Sequence, residues 1–162
     1  MLTVLAIAAA LVVITNGIHL AGLVGLSAVM RRQRFHPVHL ETKAGQAASI
    51  MVYVLSIFLL HAVEIWIYTL AFLWVNAFDT LYEALYFSIS SFTTVGYGDA
   101  LPDHPWRLLG ATESANGFLL IGWSTAFLVS VSSKIRMFEA SLERGGTAPQ
   151  ARKGGKSGNS AT

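Results

Sequence analysis

An all-α integral membrane protein is the fold class this sequence predicts, with three membrane-crossing helices, a short re-entrant helix and an extended loop. Three observations predict it. The 162 residues are 54% hydrophobic and only 12% charged, about half the charge of an ordinary soluble domain. Three apolar stretches, residues 2–30, 47–75 and 106–133, each exceed the roughly 20 residues needed to cross the hydrocarbon core. Between the second and third lie residues 81–93, apolar and aromatic but too short to cross, and then Thr94-Val95-Gly96-Tyr97-Gly98-Asp99.

The first helix, residues 1–30, has no basic residue at its start and no small-residue cleavage site, so it reads as an uncleaved anchor rather than a signal peptide. It also lacks the regularly spaced Arg or Lys that a voltage sensor needs. Basic residues orient the chain. Arg31, Arg32, Arg34 and Lys43 fall in the loop 31–46, and Lys134, Arg136, Arg144, Arg152, Lys153 and Lys156 follow the third helix; only Arg107 lies elsewhere. The positive-inside rule then puts that loop and the C-terminus in the cytoplasm and the N-terminus outside. The second helix runs outward, segment 81–93 dips back from the outside, and the third helix returns inward. The pI near 9.1 is therefore a topology signal, and no nucleic-acid partner is expected. Without cysteine there is no disulfide framework and no thiolate metal site. Residues 139–162, rich in Gly, Ser and basic side chains, read as a disordered cytoplasmic tail that can touch anionic lipid.

The loop 94–99 is irregular backbone at membrane depth, tolerated only where protein covers it or it lines water. Three helices cannot wall it off from lipid, so an oligomer is expected. Gly96 and Gly98 accept positive φ without steric cost, which lets successive carbonyls turn toward one axis, and Thr94 adds a hydroxyl. This hexapeptide resembles the potassium-channel selectivity filter.

The resemblance spans residues 47–138, with outer helix 47–75, pore helix 81–93, filter 94–98 and inner helix 106–138. It implies a small prokaryotic-type potassium channel, a homotetramer of the bacterial inner membrane. Its pore conducts K⁺ passively, with no catalysis and no cofactor beyond the permeant ion. The carbonyls of Thr94, Val95, Gly96 and Tyr97 would replace the ion's water shell. It also implies filter support from Gly98, Asp99 and an aromatic cuff at Tyr86 and Phe87. Phe87 cannot donate to the Tyr97 hydroxyl, so that restraint falls to Tyr86. Ser90 stands where some relatives carry a carboxylate. Gly117 and Gly122 are candidates for a gating hinge, or equally for close helix contact. Two other readings stay open: a non-conducting K⁺-sensing or regulatory subunit, and a weakly selective cation channel, against which Tyr97 argues.

The remaining polar residues are read from position. Asp79 or Thr80 can cap the pore helix, and Glu83 suits its first turn. Asp79, Glu83, Asp99 and Asp103 would concentrate cations at the outer mouth. At 1.5 Å per residue, His19 and His61 each lie about 18 Å from the inner ends of their helices. With Asn16 and Glu64 they are expected to form one buried cluster between the first two helices. It is either a hydrogen-bonded lock or a proton-sensitive element; a metal site is the weakest reading. Glu113 and Asn116 share a face of the third helix and are expected at the pore helix or in the cavity beneath the filter.

Overall fold

The computed structural model describes residues 1–33 and 43–146. Among them every regular element is helical. Helix α1 spans Leu2–Gln33, α2 Lys43–Trp74, α3 Leu81–Phe92 and α4 Arg107–Gly146, with a 3₁₀ turn, His104–Trp106, ahead of α4. Stretches of α1, α2 and the last helix are long and apolar enough to cross a membrane: Leu2–Val29, Ala47–Trp74 and His104–Ser133. The chain is an all-α membrane protein.

Each boundary has a local cause. Asn76 closes α2 in the left-handed region, at φ 52°. The Ala77 amide reaches back to Phe72 O at 2.9 Å and the Asn76 amide to Leu73 O at 3.0 Å, the paired bonds that satisfy orphan carbonyls at a helix end. Thr80 caps α3: its Oγ1 accepts from the Glu83 amide at 3.2 Å and donates to Glu83 Oε2 at 3.1 Å. Pro105 supplies a first-turn residue to the 3₁₀ segment, where its missing N–H leaves no bond unmade. Three elements outrun the sequence expectation. Helix α1 continues to Gln33 and α2 starts at Lys43, both inside the expected loop, and α4 continues to Gly146, into the expected tail. The run Phe138-Glu139-Ala140-Ser141-Leu142-Glu143-Arg144 consists almost wholly of good helix formers, and the composition of the tail as a whole hides it. The rest of the expected loop and tail, residues 34–42 and 147–162, lies outside the described residues.

Helix α3 lies against α2 and α4, while α1 lies against α4 and α2. One core joins them, from Val4, Ala8 and Leu11 of α1 through Tyr68 and Phe72 of α2 to Phe87 and Phe92 of α3 and Leu109 and Leu120 of α4. Phe72 meets Phe87 edge-on at 5.2 Å, and Phe78 lies 5.2 Å from the Phe87 ring. The outward faces of α2, with Phe58 and Leu59, and of α4, with Phe118 and Leu119, are exposed, as lipid- or partner-facing surfaces are. Glycine sets three close approaches. A Cβ on Gly22 would lie 2.7 Å from Leu60 Cδ2, one on Gly110 2.5 Å from Phe87 Cζ, and one on Gly117 would collide with the Phe92 carbonyl.

Candidate functional site

Helix α3 ends by feeding its backbone directly into the loop. The Thr94 amide donates to Ser91 O at 2.9 Å and the Gly96 amide to Ser90 O at 3.1 Å, while the Tyr97 amide reaches Ser90 Oγ at 3.3 Å. Ser90 therefore ties down two consecutive amides of the loop, those of Gly96 and Tyr97. Thr94, Gly96 and Gly98 have φ of 61°, 57° and 79°, so every second residue is left-handed. Alternation of this kind turns successive carbonyls the same way. For Thr94, which has a Cβ, the conformation costs about 1–2 kcal/mol. The C-terminal end of α3, with its partial negative charge, abuts the loop and favours a cation there.

Tyr86 braces the other side. Its hydroxyl donates to Asp99 Oδ2 at 2.8 Å, and its ring stacks on Tyr97 with centroids 6.2 Å apart and planes 15° from parallel. Tyr82 extends the stack at 6.2 Å. The hydrogen bond to the carboxylate favours the protonated phenol and raises the Tyr86 pKa above its ordinary value. Asp99 Oδ1 also accepts from the Ala100 amide at 3.1 Å. Phe87 has a different place. It is buried in the Phe72–Phe78 cluster, so it anchors α3 to α2 and leaves the contact with Tyr97 and Asp99 to Tyr86. Asp79, Glu83, Asp99 and Asp103 are all exposed, and Val95 and Tyr97 are 54% and 71% exposed in the single chain.

Behind α3 run polar contacts of three kinds. Glu113 of α4 is fully buried and hydrogen-bonds Ser88 of α3, whose hydroxyl also reaches Ile65 O of α2 at 3.1 Å. Glu113 thus faces α3. Asn116, expected beside it, turns the other way. Its Nδ2 donates to Thr15 Oγ1 at 2.8 Å and to the Tyr68 hydroxyl at 3.2 Å, and its Oδ1 accepts from Asn16 Nδ2 at 2.6 Å. Asn16 accordingly leaves the expected His–Glu group and bonds α4 instead. The expectation matched the depths of α1 and α2 alone, whereas α4 packs along α1 as well.

The third contact is a closed ring. Glu64 receives His19 Nδ1 on Oε1 and His61 Nδ1 on Oε2, each at 2.8 Å. On the far side, Ser124 Oγ lies 3.4 Å from His19 Nε2 and 3.1 Å from His61 Nε2. The two imidazoles stack at 5.4 Å and 26°, with Trp123 against His19 and Phe92 against His61. The ring joins α1, α2 and α4 just behind the end of α3. Ser124, Thr15 and Tyr68 were not among the residues singled out from the sequence. Ser124 was within reach, because Glu113, Asn116, Leu120 and Ser124 recur at helical spacing on the buried face of α4. Gly122, by contrast, has open space around its Cα.

Residues 56–134 match the family model described as ion channel. The matched stretch begins within α2, takes in α3 and the loop, ends within α4 and leaves α1 outside. No curated protein and no solved structure matches the chain. The family match indicates an ion channel and, with the three apolar helices, a membrane protein.

Proposed function

We propose that the channel indicated by residues 56–134 is potassium-selective and that four copies of this chain surround one pore. The observation that carries this reading is the loop Thr94–Gly98, whose sequence is that of a potassium filter and whose left-handed residues alternate at 94, 96 and 98. Four such loops about one axis would stack rings of carbonyl oxygens from Thr94, Val95, Gly96 and Tyr97, replacing the water of a dehydrated K⁺. Fourfold assembly also covers what a single chain leaves open. Val95 and Tyr97 are exposed, and so is a stripe of α4 at Phe118, Gly122, Thr125 and Val129. The 4-3-4 spacing of that stripe puts it on one helix face, fit to line the conduit below the filter. The exposed acids at 79, 83, 99 and 103 would draw cations to the outer end.

In this reading K⁺ is the permeant ion, lipids and three further copies are the partners, and the bacterial inner membrane is the setting, with the C-terminus in the cytoplasm. No step of chemistry is required: repulsion between neighbouring ions moves them on. The polar contacts of α1 serve to dock the additional helix to the pore. The test is radiolabelled Rb⁺ uptake into liposomes holding the purified protein. Uptake driven by K⁺, blocked by Ba²⁺ and not supported by Na⁺ is the expected result. Equal uptake of Na⁺ would replace it with a weakly selective cation channel. No uptake, together with Tyr97-dependent K⁺ binding, would replace it with a sensing subunit.

A further inference from the structure

We propose that His19, His61 and Glu64 form a binding site for a divalent transition metal of the Zn²⁺ class, closed from behind by Ser124. One ligand atom from each of the three residues lies within 4.8 Å of the others. Two imidazoles and a carboxylate are a donor set that suits zinc. The Nδ1 atoms both turn toward the Glu64 carboxylate, at 2.8 Å. Metal–nitrogen bonds of about 2.0–2.1 Å in a tetrahedral shell separate ligands by about 3.3 Å, so each contact must open by about 0.5 Å. Small rotations of the rings supply that.

Hydrogen-bond bookkeeping points to a cation. Without one, both Nδ1–H groups donate to Glu64, and two Nε2 lone pairs face the single hydroxyl hydrogen of Ser124. One lone pair is then left over. With a metal on the Nδ1 side, both Nε2 atoms carry hydrogen, and the two lone pairs of Ser124 Oγ accept them. That is the outer support that metal-bound histidines characteristically have. Charge adds to the case, because Glu64 cancels half of the divalent charge and a bound hydroxide the rest. The His61 side chain is 15% exposed, whereas His19 and Glu64 are at 0%.

The site is separate from the filter, and its existence does not depend on which ion the pore selects. The test uses the full chain in detergent, stripped with a chelator and dialysed against Zn²⁺ in excess Mg²⁺, with bound metal measured by elemental analysis. The expected result is one Zn²⁺ per chain, falling at least tenfold in His61→Gln and in Glu64→Gln. Cobalt(II) replacing zinc in the wild type, which needs no variant to fold, should give the intense visible bands of a four-coordinate site. Absence of zinc uptake by the wild type overturns the proposal. Uptake unchanged in a folded His61→Gln chain also overturns it, and assigns the metal to other histidines.

Discussion

Gly117 rests against the carbonyl of Phe92, so closely that a methyl group at its Cα would overlap that backbone. The contact joins α4 to the last residue of α3, immediately ahead of the loop. Gly117→Ala is expected to destabilise the protein by about 1–3 kcal/mol, the usual range for overpacking, and to reduce Rb⁺ uptake by displacing the end of α3. Gly122→Ala, with nothing near its Cα, should raise stability by about 0.5–1 kcal/mol through helix propensity. Thermal unfolding in micelles compares the two. Equal losses would mean that Gly122 too sits in a tight contact, one formed in the assembly.

Tyr86→Phe removes the donor to Asp99 Oδ2 and leaves the stacking on Tyr97 in place. A several-fold rise in Na⁺ relative to Rb⁺ uptake is expected, with assembly unchanged. The wild type has an alkaline limit of known sign. Because the folded phenol pKa is raised, the contribution of this bond is complete below the unfolded value of about 10. It is lost as pH rises through the higher folded value. Selectivity should therefore decline on the alkaline side in the wild type, and that decline should be missing from Tyr86→Phe.

Asn116→Ala cuts the bonds to Asn16, Thr15 and Tyr68 at once. Interhelical hydrogen bonds in membranes average about 0.6 kcal/mol each, so a loss of about 2 kcal/mol is expected. Cysteine crosslinking between α1 and α4 should weaken with it. Unchanged crosslinking would mean that apolar packing alone holds α1 in place.

Glu113→Met tests a buried carboxyl whose Oε2 has no hydrogen-bond partner among the described residues. Its neighbour Ser88 keeps Ile65 O as an acceptor, so the substitution strands nothing. Stability is expected to hold or to rise by up to about 1 kcal/mol, as when a buried polar group gives way to an apolar one of similar volume. A drop of more than about 2 kcal/mol in unfolding measurements would contradict this.

Local rules made the helices and the loop legible in the sequence. Apolar length marked α1, α2 and α4, Thr80 with Glu83 marked the start of α3, and Gly96 with Gly98 marked where the backbone turns left-handed. Depth counting brought His19 near His61 and Glu64, because rise per residue is fixed. It misassigned Asn16, because depth says nothing about rotation around a helix axis; Asn116 parts from Glu113 because an i, i+3 spacing still leaves about 60° between the two side chains. Which helix α1 faces is decided by packing, such as Gly22 against Leu60, and by α4 closing the third side. Phe87 turns from its own loop for a related reason: it is adjacent to Tyr86 in sequence, but successive helical residues point about 100° apart. One turns to the loop and its neighbour into the core.

Asn116, Gly117 and Ser124 fasten α4 to its surroundings over two turns of helix. Beyond them the described side chains hold it by apolar contact such as buried Val131, which is non-directional. From Thr125 to Gly146 the helix continues for about 30 Å at 1.5 Å per residue. Mechanically, α4 is a rod clamped by directed bonds at residues 116–124 and seated by apolar contact as far as Val131. Gly122 sits inside the clamp, so any bend there must first release Ser124. Among the described residues Ser124 is the last of α4 to hydrogen-bond another helix, and because it is shared between His19 and His61, α1 and α2 together set where the clamp ends.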